Sequence, residues 1–298
     1  MTNKATAVDE QIQQLPCWQG ELRIESLDGG ITNHNFKVSD TGNNADYVVR
    51  LGFDIPVHHI SRVREIAAGQ AAHAAGISPE IVHASDGVLV MRFIDGKTLA
   101  PEDVNNRLLL ERFLPVLKDC HNSVPGYLRG APPFFWVFHV VRDYAASLRD
   151  SNSAHLARLP ELLDASDQLQ SASAPFDIVF GHNDLLAANL IDDGDRLWLI
   201  DWEYAGFNSP LFDLGGLASN NELTEEDERW LLDAYFETAV TDELWRRYQA
   251  MKCASLLRET LWSMVSEIHS TIDFDYAAYT RENLDRFETS FTAFKTLK

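Results

Sequence analysis

The stretch from Phe180 to Asp213, FGHNDLLAANLIDDGDRLWLIDWEYAGFNSPLFD, decides how the rest of the chain is read. Asp177 to Phe180 is a short apolar run that Gly181 ends, so His182-Asn183-Asp184 falls on a loop directly after a strand. Asn189 follows five residues beyond Asp184. Asn189-Leu190-Ile191 and Arg196 to Ile200 are two apolar runs separated by Asp192-Asp193-Gly194-Asp195, residues that tolerate the positive φ of a tight hairpin. Folding the hairpin about Gly194 and Asp195 sets Asn189, at the start of one strand, beside Asp201, at the end of the other. Two oxygen-bearing side chains then face one small volume, and Asp184 lies on the loop leading into it.

Oxygen ligands so few in number fill only part of a coordination shell, which suits Mg²⁺ held jointly with the phosphates of a nucleotide. An Asp, an Asn five residues on, and a second Asp beyond a hairpin is also the order of catalytic Asp, catalytic-loop Asn and metal-binding Asp in protein kinases. Here His182-Asn183-Asp184 replaces His-Arg-Asp, and Ile200-Asp201-Trp202-Glu203 replaces the Asp-Phe-Gly region, which excludes an ordinary protein kinase. Taken singly, Asp184 and Asn189 read as loop caps and Asp201 as the end of a strand; the three together argue against that. HNDLLAANLI followed by LIDWEYAGFNSPLFDL resembles the choline/ethanolamine kinase branch of the aminoglycoside phosphotransferase superfamily. The resemblance runs from about Leu27 to Phe287. It implies an α+β, protein-kinase-like bilobal fold: a small N-terminal lobe with an antiparallel sheet and one helix, and a larger, mainly α-helical C-terminal lobe. It also implies ATP and Mg²⁺ as cofactors, Asp184 as the group that takes the proton of the acceptor hydroxyl, and Asn189 and Asp201 as metal ligands.

The segments before the hairpin fit that frame. Glu21 to Leu27 alternates weakly, Asp28-Gly29-Gly30 turns, and Phe36 to Ser39 resumes a strand pattern. Gly29, Gly30 and the following Ile31 to Asn35, Asn33 among them, could bring backbone amides to phosphate; alone, the glycine pair reads equally well as a plain hairpin turn. Asp46 to Leu51 is a β-branched run from which Arg50 emerges, in the slot of the kinase strand lysine. A guanidinium there offers two parallel donors to phosphate oxygens. Ser61 to Gly76 reads as a capped helix with Val63, Ile66, Ala67, Ala71 and Ala74 along its buried side, and by resemblance Glu65 pairs with and aims Arg50. Ile81 to Ala84 and Val88 to Ile94 complete the small lobe. The hinge falls near Phe93 to Lys97, giving a nucleotide-binding lobe over residues 1–94 and a catalytic and substrate-binding lobe over 95–298.

Downstream, helices are expected over Leu108 to His121 and Val137 to Arg149, and loops at Ser151 to Ser153 and Ser171 to Pro175. His121 and His139 read as core or surface residues, since neither has a helical partner of ligand type. Thr224 to Asp227 is a capping signature, and a long helix follows from Asp242 to His269. The run from Arg258 to Phe287 resembles the C-terminal substrate region of choline kinases, where aromatic rings surround a quaternary ammonium. Trp262, Phe274 and Tyr279 stand at matching positions. Glu259 stands where some relatives carry another Trp, and a carboxylate there still favours a cation. Glu203, beside the metal aspartate, is a candidate for orienting substrate or metal.

Net charge sharpens the choice of partner. At -20 the chain lacks the basic footprint that nucleic acid or an anionic membrane requires, and a cationic small molecule is favoured; because solubility alone accounts for such a charge, this only supports the argument from the motifs. No apolar run approaches the roughly 20 residues that span a bilayer, and the polar N-terminus lacks a signal-peptide core, so a cytoplasmic protein without membrane insertion is expected. Cys17, Cys120 and Cys253 are scattered and odd in number, which argues against a disulfide framework. Nothing in the pattern reports an oligomeric state. The expected reaction is transfer of the ATP γ-phosphoryl group to the hydroxyl of choline or a related amino alcohol. Ethanolamine, thiamine and aminoglycosides are rival acceptors, and a catalytically inactive nucleotide-binding regulator is the rival class, which retention of Asp184, Asn189 and Asp201 opposes.

Overall fold

The structure is a computed structural model that describes residues 2–27 and 33–297, with residues 2–7 described by their backbone alone. The chain opens with α1 (Thr2–Gln13), a helix that the polar N-terminal sequence does not announce. It covers a five-stranded antiparallel sheet made of β1 (Leu22–Leu27), β2 (His34–Asp40), β3 (Ala45–Leu51), β4 (Ile81–Ser85) and β5 (Val88–Arg92), in the order β1-β2-β3-β5-β4. Ile12 of α1 is buried with Val38, Tyr47, Val49, Val88 and Val90 in a small core of its own. The alternation of β3 therefore splits its side chains between that core and the opposite face, from which Arg50 emerges.

Between β3 and β4 runs α2 (Arg62–Ala74). The sequence places Val63 and Ala74 on its buried side, and the structure corrects this: Val63 is 77% exposed, and the inward face carries Glu65, Ala68, Gly69, Ala71 and Ala72. Glu65 sets the rotation. Its carboxylate is drawn inward by two arginines, and the small residues one and two turns on share its face. Ala68, Ala71 and Ala72 join the core of the larger lobe, so α2 is one of the small lobe's contacts with the rest of the molecule.

After Arg92 the chain turns from sheet to helix. β6 (Lys97–Thr98), α3 (Pro101–Val104), α4 (Arg107–Asn122), α5 (Val137–Asp150) and α6 (Leu159–Ser173) come first. Ser171 to Ser173 thus belong to the last turn of a helix rather than to the loop expected from their composition; Leu162, Ala165 and Leu169 bury one face of α6 and carry the helix through the serines. The stretch from Phe180 to Asp213 follows with β7 (Val179–Gly181), β8 (Leu190–Asp192), β9 (Leu197–Leu199) and β10 (Gly206–Asn208). β8 and β9 form the expected hairpin, with Gly194 at φ 94° in its turn. β10 pairs with β7 and β6 with β8, so two short sheets fix both ends of the loop between them.

Four helices complete the chain: α7 (Pro210–Asn220), α8 (Glu225–Phe236), α9 (Asp242–His269) and α10 (Tyr276–Thr296). α9 has the span expected from the sequence. The Thr241 side chain caps it, accepting from the Leu244 amide at 3.1 Å, and at about 1.5 Å per residue it is roughly 42 Å long. Packed by α5, α6, α7 and α10, it is buried nearly all round through its second half. α7 approaches so closely at Gly215 that a Cβ there would lie 2.8 Å from the Lys252 backbone. This helix carries Glu259 and Trp262 as a rigid support.

Candidate active site

β7 ends at Gly181, and the next two residues are held by one carboxylate. The amides of His182 and Asn183 each donate to Asp213 of α7 at 2.7 Å, and Asp213 also pairs with His121 Nε2 at 3.0 Å. Burial alone would raise the Asp213 carboxyl, but His121 and the His182 amide outweigh it and hold it below the usual range. His121 places its other nitrogen 2.6 Å from the Tyr235 hydroxyl. Cys120, His121 and Asp213 lie close enough together to suggest a metal centre, yet His121 and Asp213 are spent on each other and on the loop. Asn183 adopts φ 66° and donates to the carbonyls of Tyr204 and Gly206 at 3.0 and 3.1 Å. Gly181 is required here, since a Cβ would meet Asn183 Oδ1 at 2.8 Å and Asp213 at 3.1 Å.

The loop so fixed presents Asp184. Asn189 Nδ2 donates to the Asp184 carbonyl at 2.9 Å, and the Asn189 carbonyl accepts from the Ile200 amide at 3.0 Å. His182 Nε2 lies 2.9 Å from the Ile200 carbonyl. Asp184, Asn189 and Asp201 are therefore brought together, as the hairpin requires. Asp201 itself sits at φ 67°, a left-handed conformation that costs a non-glycine residue about 1 to 2 kcal/mol and that the bonds at Ile200 enforce. Burial pushes the Asp184 carboxyl up to about 8; Arg258 opposes this, while Glu259, Asp201 and Glu203 add to it.

Near the sheet, Arg50 forms an ion pair with Glu65 and donates to Asp201 Oδ1 at 2.8 Å. The expected pairing of strand arginine and helix glutamate is present. Arg62 is the residue that the sequence reading missed. Its guanidinium donates to Glu65 at 2.7 Å, to Glu203 at 3.1 Å, to Asn33 Oδ1 at 2.6 Å and to the Phe53 carbonyl at 3.0 Å. Asn33 in turn donates to Glu203 at 3.4 Å. Glu203 is thus held by Arg62 and Asn33 and is one wall of the site. The spacing of Arg62 and Glu65, three apart in the first turn of a helix, was the available signal. Gly29 and Gly30 lie outside the described residues.

Between the lobes is a cavity of about 560 Å³. Its walls include Val48, Met91, Phe93 and Ile94 from the sheet and hinge, then Arg50, Asp184, Asn189, Asp201 and Glu203, and finally Arg258, Glu259, Trp262 and Tyr279. At this last end Trp262, 4% exposed, donates to the Tyr204 hydroxyl at 2.9 Å and stacks on His58 at 4.9 Å. It stands perpendicular to Tyr279 at 6.4 Å between ring centres. Burial, with the charge of Arg258 next, lowers His58 to about 3 and leaves it neutral beneath the indole. Glu259 accepts from the Tyr279 hydroxyl at 2.7 Å and from Arg258 at 2.8 Å. Phe274 does not reach the cavity; it is 43% exposed and packs edge-on behind Tyr279 and Tyr276. Arg258 and Tyr204 complete this end, and pattern reading passed over both because each looks like an ordinary helix or loop residue.

Known proteins match this architecture along most of its length. A family model described as choline/ethanolamine kinase matches residues 24–228. Protein LicA of Haemophilus influenzae is 26% identical over 278 residues, 91% of this chain and 78% of LicA. A probable ethanolamine kinase of Arabidopsis thaliana is 28% identical over 290 residues, 86% of this chain and 76% of that protein. The crystal structure of a choline/ethanolamine kinase family protein from Mesorhizobium loti superposes with a TM-score of 0.79 at 27% identity, covering 97% of each chain. The chain belongs to the choline/ethanolamine kinase family and is a phosphotransferase whose acceptor is the hydroxyl of a small amino alcohol.

Proposed function

We propose that the enzyme transfers the γ-phosphoryl group of ATP to the hydroxyl of choline, with Mg²⁺ between nucleotide and protein. The observation that carries the reading is the continuity of one cavity from the hinge residues Phe93 and Ile94, past Asp184, Asn189 and Asp201, to Trp262 and Tyr279. Adenine would dock at the hinge, phosphates at Arg50, and the trimethylammonium group among the rings. Residues 1–94 would then serve as the nucleotide lobe and 95–298 as the substrate lobe. No helix among the described residues is long and apolar enough to cross a membrane; we take the cytoplasm, where ATP is made available, as the working compartment.

The donor set fits Mg²⁺. Asn189 spends its nitrogen on the Asp184 carbonyl, which leaves its oxygen as the free ligand atom, and Asp201 gives only one oxygen to Arg50. When bound, the ion would neutralise charge on the β- and γ-phosphates. The protein's own residues do the rest. Asp184 orients the hydroxyl and takes its proton; Arg50, aimed by Glu65, steadies the phosphates; the fixed loop keeps the attacking oxygen in line. Glu259 and the rings of Trp262, Tyr204 and Tyr279 hold the cation so that its hydroxyl faces Asp184.

Choline is favoured over ethanolamine by the state of Glu259. A primary ammonium needs acceptors for its three N–H donors, whereas each Glu259 oxygen already accepts one bond, which leaves the carboxylate half of its acceptor sites and a charge partly met by Arg258. A quaternary ammonium needs only field and aromatic faces. The test is ATP consumption over choline, ethanolamine, thiamine and several aminoglycosides. Choline should give the highest kcat/KM; turnover of thiamine or an aminoglycoside with neither amino alcohol active would overturn the reading.

A further inference from the structure

We propose that Arg258 is a specificity-determining residue, which sets the preference for a quaternary over a primary ammonium by occupying Glu259. The inference deepens the proposed function and rests on it. Arg258 is only 4% exposed yet borders the cavity beside Glu259 and Tyr279. A buried cation at a site for a cation is unexpected on charge alone, since it repels every substrate of the class. Its geometry gives it a use. The guanidinium carbon lies 4.2 Å from the centre of the Tyr204 ring, which fixes its plane, and Nη1 donates to Glu259 Oε2 at 2.8 Å. Tyr279 takes Oε1 at 2.7 Å. Adjacent residues of a helix point about 100° apart, so this contact requires both side chains to turn toward one another in the cavity wall.

The consequence differs for the two kinds of substrate. With Arg258 present, Glu259 acts on the substrate through a field that the guanidinium partly cancels, and one acceptor site on each of its oxygens is taken. Choline loses little, because its methyl groups form no hydrogen bond and its charge is met by the aromatic faces. Ethanolamine meets an acceptor with half its sites taken and its charge partly neutralised. Removing Arg258 benefits both cations electrostatically, but only the primary ammonium gains a charge-assisted hydrogen bond to the released carboxylate.

The experiment compares kcat/KM for choline and ethanolamine at saturating ATP in the native enzyme, Arg258→Leu, Arg258→Lys and Tyr279→Phe. The native enzyme should prefer choline. Arg258→Leu should raise the ratio of ethanolamine to choline by about tenfold, the worth of one hydrogen bond to a charged group. Arg258→Lys should return most of the native preference. Tyr279→Phe, which keeps the ring and releases only Oε1, should shift the ratio the same way by a few-fold, and it carries the test if Arg258→Leu does not fold. A structural role for Arg258 would lower both activities together and leave their ratio unchanged. A ratio unmoved in Tyr279→Phe and in every folded Arg258 variant would overturn the inference alone, whereas a native enzyme that prefers ethanolamine would overturn both the inference and the choice of choline as substrate. A native protein inert toward both alcohols would contradict the proposed function as well.

Discussion

The two ends of the cavity use arginines and carboxylates in opposite ways. At the nucleotide end Arg50 and Arg62 face Glu65, Asp201 and Glu203, and the bonds tie partners 151 and 141 residues apart in the chain. Carboxylates outnumber arginines there, which suits a place where a divalent cation arrives. At the substrate end Arg258 meets Glu259, its neighbour in sequence on a single rigid helix. That pair holds no lobes together. The first assembly shapes the site by joining distant elements, and the second by tempering the charge of one carboxylate. The same pairing thus does architecture in one place and chemistry in the other, and substitutions should separate the two.

The largest effect is expected between the ends. Asp184→Ala and Asp201→Ala should each lower kcat by a factor on the order of 10² to 10⁴. Titration calorimetry with Mg-ATP should distinguish them: near-native affinity for the Asp184 variant, and weakened, Mg²⁺-insensitive binding for the Asp201 variant. Equal loss of nucleotide binding in both would dissolve the division of roles. Next come the arginines of the nucleotide end. Arg50→Lys and Arg62→Lys keep the charge but lose the planar fork, and each should raise the ATP KM about tenfold or more. Choline KM should hardly move in either. A double-mutant cycle between Arg62 and Glu203 should show coupling; additive losses would mean that the two lobes are not joined there.

What the sequence disclosed follows the same division. Turn chemistry at Asp192 to Asp195 and the apolar runs on either side made the hairpin legible, and with it Asp184, Asn189 and Asp201. The apolar set from Leu244 to Ile268 made α9 legible to its ends. Asp213 and Arg258 were not legible, because a charged residue reads as solvent-facing until its partner is known, and for Asp213 that partner is remote in the chain; Arg62 had a local signal in Glu65, but its ties to Asn33 and Glu203 are remote. Val63 misled for the related reason that Glu65 turns inward and rotates the helix beneath it. The serines closing α6 misled because burial upstream outweighs local propensity. Phe274 matched the family position but is 43% exposed and is not among the residues that wall the cavity.

At the substrate end, Trp262→Ala should raise the choline KM roughly tenfold, since one desolvated ring contributes about 0.5 to 2 kcal/mol to a bound cation. The ATP KM should stay within about twofold. An equal rise in both would make Trp262 a structural residue of α9 rather than a wall of the site.

A smaller and more diagnostic effect concerns pH. Asp184 must be ionised to accept a proton, and in the free enzyme its carboxyl is pushed up to about 8. Activity read as kcat/KM should therefore fall as pH drops through that region. Stability should move the other way. Because its folded pKa lies above the ordinary carboxylate value of about 4, Asp184 detracts from stability increasingly as pH rises from about 4 to about 8. Asp213, held below the usual range, has the ordinary sign: its contribution is present above about 4 and is lost as pH falls further. Chemical denaturation at a series of pH values, with native enzyme and Asp184→Asn, should show the opposing slope from Asp184 vanish in the variant.

The central claim is that the substrate end recognises a quaternary cation, and one pair of substrates tests it. Choline and its neutral carbon isostere 3,3-dimethylbutanol have the same shape and the same hydroxyl, so their ratio of kcat/KM isolates the charge. With the rings of Trp262, Tyr204 and Tyr279 and the field of Glu259, choline should exceed the isostere by about ten- to a hundredfold. Equal turnover of the two would contradict the account and leave the aromatic end as a plain hydrophobic pocket.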